Sequence, residues 1–239
     1  MSKLLELRGL SVELPTAAGW VRPVNEVSLR INTGESLGLV GESGSGKTML
    51  SLALMGLLPP GARVCGEALL ERVPPALWQG TVPKRASASA GRTNLVGLNE
   101  KEFRQVRGRE AAMVFQEPMT SLNPVMRVGA QIEEAIRAHQ PRMETSEVKR
   151  RTIDALRLAA VPEPEARARQ FPHQLSGGLR QRAMIAMALA AGPRLLIADE
   201  PTTALDVTIQ KQILELLGDL RHRLGLGLLF ITHDLGVVA

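Results

Sequence analysis

The sequence predicts an α/β fold with a mainly parallel core sheet. Short apolar runs alternate with helical patterns along most of the chain, the order that strand–helix–strand units require. One apolar run, Ser36–Val40, opens into a glycine-rich loop and then a helix. Another, Arg194–Ala198, ends in two adjacent carboxylates.

The elements follow in order. Leu4–Val12 and Val24–Ile31 read as strands, apolar-rich and partly alternating. Asn32–Glu35 is a turn, Ser36–Val40 a strand, and Thr48–Leu58 a helix stopped by Pro59-Pro60-Gly61. Arg72–Ala90 holds three prolines, a Ser/Ala run and Lys84-Arg85 with no acid, and reads as a flexible exposed segment. Glu100–Arg107 is a short helix and Ala111–Phe115 a buried strand. From Val128 to Ala190 the pattern is helical, with breaks around Pro141 and at Pro162–Pro164. Val207–Leu224 is an amphipathic helix with Ile213, Leu216, Leu217, Leu220 and Leu224 on one face. Leu226–Ile231 is the last strand, and no internal repeat is visible.

Composition narrows the function classes. The 239 residues are 44% hydrophobic and 22% charged, a globular balance that excludes wholesale disorder. Cys65 is the one cysteine, so an intramolecular disulfide and a cysteine-only metal site are excluded, and Cys65 reads as an inert small hydrophobe. The net charge of +5 comes with no tyrosine, two tryptophans and four phenylalanines. That argues against a single-strand nucleic-acid platform built on stacked rings. The N-terminal residues lack the apolar core of a signal peptide, and the most apolar stretch, Ala183–Ala198, is broken by Gly192, Pro193 and Arg194. The reading is a soluble, cytosolic chain whose membrane role would come through a partner.

Three motifs carry chemistry. Gly41-Glu42-Ser43-Gly44-Ser45-Gly46-Lys47-Thr48 fits GxxxxGK[ST] in full. Its glycines let backbone N–H groups curl around a phosphate chain, and the helix that follows points its positive end at the same anion. Lys47 can reach the β- and γ-phosphates, and the Thr48 hydroxyl can bind Mg²⁺. Leu195–Glu200 is a buried strand ending in two carboxylates. Asp199 suits a Mg²⁺ shell, and Glu200 stands where it could orient or deprotonate a water; on its own such a pair is also an ordinary polar strand end. Ser176-Gly177-Gly178 opens the helix Leu179–Ala190, either as a plain N-cap or as a second phosphate cradle.

With Leu175-Ser176-Gly177-Gly178-Leu179 in place, the chain resembles the ATP-binding subunits of ABC transporters, whose signature motif carries Gln or Met where Leu179 stands. Gln116 resembles the Q-loop glutamine, Thr203-Ala204-Leu205-Asp206 the D-loop, and His233 the switch histidine at the γ-phosphate. Phe115–Pro124, Phe171–Leu175 and Arg107–Glu110 resemble the oligopeptide, dipeptide and nickel branch of importers.

The resemblance implies a P-loop NTPase of ABC type: one domain over residues 1–239, with a small antiparallel β subdomain and a helical subdomain at 117–190. It implies ATP and Mg²⁺ as ligands. Gly41–Thr48 would hold the phosphates. Thr48, Asp199 and Gln116 would serve the metal. Glu200, His233 and Gln116 would act in hydrolysis. Ser176, Gly177, Gly178 and Asp206 would serve nucleotide across a head-to-tail dimer. Partners would be transmembrane permease subunits and a second ATP-binding subunit, identical or paralogous, with no nucleic acid, on the cytoplasmic face of the membrane.

Departures from the family pattern are three. Leu14 stands near the place of an adenine-stacking aromatic, with Trp20 the only nearby ring. Arg72–Ala90 looks inserted. The chain stops six residues after His233, where family members continue. The last two favour an alternative in which a truncated chain binds nucleotide without hydrolysing it; a soluble ABC ATPase acting on nucleic acid or ribosomes is another.

Overall fold

The computed structural model describes residues 3–71, 91–117, 121–203, 205–234 and 236. The expected flexible segment at 72–90 lies outside them. What flanks it is a hairpin in register: β4 (Arg63–Glu71) pairs antiparallel with β5 (Arg92–Asn94), Glu71 opposite Arg92.

Two four-stranded sheets organise the described residues. The first is antiparallel, in the order β2-β1-β4-β5, and begins with β1 (Lys3–Thr16) and β2 (Gly19–Asn32). Both strands outrun their predicted bounds. Thr16 Oγ1 donates to the Gly19 carbonyl (2.8 Å) and closes the hairpin. Pro23 is tolerated because β2 is an edge strand, where a missing N–H faces no partner. Cys65 lies exposed on β4, not packed as a small hydrophobe.

The second sheet is parallel. Its order is β3 (Ser36–Val40), β8 (Gly227–Thr232), β7 (Leu195–Asp199) and β6 (Ala111–Val114). Side chains alternate across it. Leu195 and Ile197 of β7 join an apolar layer shared with β1 and with α1 (Lys47–Leu54). Leu196 and Ala198 join a second layer built by the helices on the opposite face. A strand buried on both sides needs apolar residues throughout, which is why β7 reads as a continuous apolar run.

Helix α1 ends four residues before its predicted end. Gly56 takes φ +61°, and the Leu57 N–H donates to the Leu52 carbonyl at 2.8 Å. This left-handed cap satisfies the last carbonyls of the helix before the prolines are reached. A Cβ at Gly56 would meet the Phe103 ring at 2.5 Å, so the cap and helix α2 (Glu100–Val106) are packed as one unit. Arg107 reinforces them: its guanidinium donates to the Met55 and Gly56 carbonyls (2.7 Å each) and to Glu100 (2.9 Å).

The stretch read as helical from Val128 resolves into α3 (Val128–His139), α4 (Thr145–Leu158), the short α5 (Pro164–Ala168) and α6 (Gly177–Leu189). Helix α6 starts two residues before its predicted start, because the Ser176 side chain accepts from the Leu179 N–H and caps it. Helix α7 (Val207–Leu224) matches its predicted bounds and buries Ile213, Leu216, Leu217 and Leu220. Among the described residues no helix is long and apolar enough to cross a membrane.

Candidate functional site

The chemistry-bearing residues converge at the C-terminal ends of the parallel strands, where open α/β sheets place their ligands. The glycine loop follows β3, Gln116 follows β6, Asp199 ends β7 with Glu200 next, and His233 follows β8. An open cleft of about 650 Å³ brings all of them but the buried Asp199 to one surface. Glu42, Ser43, Gly44, Gly46, Lys47, Thr48, Gln116, Glu200 and His233 line it.

The loop is held by its own lysine. Lys47 is buried, and its Nζ donates to the carbonyls of Gly41 and Glu42 (2.7 Å each) and to Ser45 Oγ (3.2 Å). Gly44 and Gly46 take φ +81° and +88°. At Gly46 no other residue fits, since a Cβ there would sit 2.0 Å from the Pro23 carbonyl oxygen. Edge strand β2 thus presses directly on the last turn of the loop.

Asp199 lies beneath the start of α1, only 2% exposed, and its Oδ1 has no hydrogen-bond partner. Burial raises its pKa. The Thr48 hydroxyl, hydrogen-bonded to the carboxylate, opposes that rise; the Glu200 charge adds to it, and the Lys47 charge opposes it. A buried carboxylate oxygen without a donor, beside a hydroxyl, is the kind of oxygen pair a hard divalent cation takes up. Among the described residues no group of three or more His, Cys, Asp or Glu could hold a metal by itself.

Glu200 sits at the centre of the site, with φ +47°, a left-handed backbone that is uncommon for a side-chain-bearing residue. Its N–H donates to the Ile231 carbonyl at 2.9 Å, tying it to β8. Its Oε2 accepts from Gln116 Nε2 (3.1 Å) and from Thr203 Oγ1 (3.0 Å), and lies 3.2 Å from His233 Nδ1. The Gln116 amide is therefore turned toward Glu200.

Seven of the predicted residues are not among those lining this cleft. Gly41, Ser45 and Asp199 are held against the lining residues Lys47 and Thr48, while Ser176, Gly177, Gly178 and Asp206 stand at the starts of α6 and α7. Ser176 and Asp206 cap α6 and α7, and a Cβ on Gly178 would press on Ile209 Cγ2 at 2.8 Å. The signature turn and the start of α7 are thus in close contact. Trp20 is not at the cleft either, since the Arg63 guanidinium lies over its ring at 4.0 Å. Two lining residues, Pro23 and Met49, went unread in the sequence, and Thr203 was read only as part of the D-loop-like run.

The profile of the ABC transporter family matches residues 24–203. The chain is 48% identical, over its full length, to the oligopeptide transport ATP-binding protein OppD of Bacillus subtilis (strain 168), covering 62% of that protein. It is 44% identical over 99% of its length to the dipeptide transport ATP-binding protein DppD of Lactococcus lactis, again covering 62%. The chain therefore spans less than two thirds of the length of these relatives. Among solved structures, the dimeric post-hydrolysis state of the ATP-binding cassette MJ0796 bound to ADP and Pi superimposes with a TM-score of 0.78 at 27% identity, covering 98% of this chain and 90% of that one.

Proposed function

This chain belongs to the ABC transporter family, and from that membership we propose that it binds and hydrolyses ATP to energise an importer of peptides or related small solutes. The observation that carries the proposal is the meeting of Gln116, His233 and Glu200 at the mouth of a complete phosphate loop.

Each residue then has a task. The amides of residues 41–48 and the positive end of α1 bind the phosphate chain. Lys47 exchanges its loop carbonyls for phosphate oxygens. Glu200 takes a proton from, or orients, the attacking water. His233 and Gln116, flanking Glu200 from the neighbouring strands, report the presence of the γ-phosphate to β8 and β6. Thr48 and Asp199 would hold Mg²⁺, which when bound neutralises charge on the phosphates.

Ser176, Gly177, Gly178 and Asp206 do not line this cleft within one chain. Their use follows if two ATP-binding subunits pair head to tail, each signature turn closing over the other's loop. The dimeric state of the similar cassette supports that pairing. The helices within 117–190 would form a subdomain that meets transmembrane permease subunits through the segment after Gln116, on the cytoplasmic face of the membrane. The peptide-transport names of the relatives support the solute class.

Two variants test the proposal. Lys47→Ala should weaken ATP binding, because it removes a ground-state charge. Glu200→Gln should keep binding and slow turnover by roughly 10²–10⁴-fold, with a nucleotide-bound dimer accumulating on gel filtration with ATP and Mg²⁺. An active wild type whose Glu200→Gln variant stays monomeric with ATP would refute the shared-site arrangement.

A further inference from the structure

Of the three side chains that meet Glu200 Oε2, Gln116 and His233 arrive from neighbouring strands, and each lies 33 or more residues away in sequence. Thr203 is different, because it belongs to the same turn as Glu200. The Thr203 N–H donates to the Glu200 carbonyl at 3.1 Å, and the Thr203 hydroxyl donates to the Glu200 carboxylate at 3.0 Å. One residue thereby grips both the backbone and the side chain of Glu200.

That double grip answers a specific need. Glu200 holds a left-handed backbone at φ +47°, and such a residue persists there only where its surroundings over-determine it. The turn supplies this: Pro201 follows with its ring-fixed φ, Pro201 and Thr202 are buried, and the Leu205 N–H donates to the Thr202 carbonyl at 3.2 Å. Thr203 itself lines the cleft. Its hydroxyl is therefore the contact on Glu200 that does not depend on where the loops bearing Gln116 and His233 stand.

We propose that Thr203 is a positioning residue for hydrolysis, holding the Glu200 carboxylate in place through its hydroxyl while Gln116 and His233 exchange partners. The inference rests on the ATPase reading above and adds a residue to it. It predicts an effect on the chemical step and none on nucleotide affinity, because Thr203 acts through Glu200 and not on the phosphates.

The test compares Thr203→Val, which keeps the shape and removes the donor, with Thr203→Ser, which keeps the donor. Phosphate release is followed in single turnovers with protein in excess, and ATP binding is titrated separately. Thr203→Val should slow the step by about 10- to 100-fold with ATP affinity unchanged, and Thr203→Ser should restore most of the rate. In a Glu200→Gln background, adding Thr203→Val should cost nothing further, since the carboxylate it positions is gone. Equal rates for wild type and Thr203→Val, a loss that Thr203→Ser shares, or full additivity with Glu200→Gln would each overturn the positioning role and leave the ATPase reading standing. A wild type with no Glu200-dependent turnover would overturn both.

Discussion

Gly46→Ala and Gly44→Ala should fail in different ways, although both glycines lie in one loop with nearly the same backbone. At Gly44, φ is +81° and a Cβ meets nothing within 4 Å. The cost to the fold is the left-handed penalty alone, about 1–2 kcal/mol. At Gly46, φ is +88° and the Cβ would lie 2.0 Å from the Pro23 carbonyl oxygen. Ordinary contact is more than 1 Å longer, and the obstacle is backbone, so either β2 or the start of α1 must move. That adds overpacking of about 1–3 kcal/mol to the same penalty, for a total of about 2–5 kcal/mol. With a urea slope of about 3 kcal/mol/M, the unfolding midpoint should fall by about 0.3–0.7 M for Gly44→Ala and by about 0.7–1.7 M for Gly46→Ala. Nucleotide binding should separate the two in another way. Gly44 lines the cleft and a Cβ there meets no protein atom, so Gly44→Ala should lose ATP affinity out of proportion to its loss of stability. Equal midpoints for the two variants would refute the claim that β2 braces the loop through Pro23.

Two further outcomes follow from titratable groups perturbed by burial. Asp199→Asn removes a buried charge with an unpartnered oxygen, so it should raise the melting temperature by about 2–4 °C, the response to about 1 kcal/mol in a domain of this size; calorimetry should also show Mg²⁺ no longer strengthening ATP binding, and an unchanged or lower melting temperature would contradict the burial argument. Burial, with the Arg109 charge second, lowers the pKa of His139 below its ordinary value of 6.5. The unfolded chain therefore binds this proton more readily than the folded one. The stability due to neutral His139 is complete above about pH 6.5 and is lost as pH falls below it. Urea midpoints of wild type and His139→Gln measured from pH 7.5 to 5 should show a shallower acid decline in the variant, and parallel curves would exclude His139 as the cause.

Legibility in the sequence followed the range of the interactions. The phosphate loop was readable because its eight residues do their work side by side. Helix α7 was readable to the residue, since Asp206 caps its start with a bond to the Ile209 N–H and Gly225 ends it at φ +64°. The end of α1 was misread because the stop is a long-range fit: Gly56 turns where the Phe103 ring already sits. Strands β1 and β2 run past their predicted bounds through Pro15 and Pro23, and only the strand order shows β2 to be an edge, where a proline is tolerated. Thr203 was seen as a motif letter. Its hydrogen bond to Glu200 depends on the left-handed turn between them, which no spacing rule predicts.

The strand order β3-β8-β7-β6 also acts as a ruler. Each strand hands over one part of the site, so the groups stand in a row: loop, His233, Glu200, Gln116. Neighbouring strands lie about 4.8 Å apart, which spreads the row over roughly 14 Å. Chain order is irrelevant to this row, and strand length is decisive. Val40 is opposite Thr232, Ile231 opposite Asp199, and Ala198 opposite Val114. Removing one residue from β7 would slide Glu200 by about 3.3 Å and turn its neighbours to the wrong face. An apolar exchange within β7 disturbs the packing and leaves the marks of the ruler where they were. A one-residue change in the length of any of the four strands would shift its own mark out of line with the others.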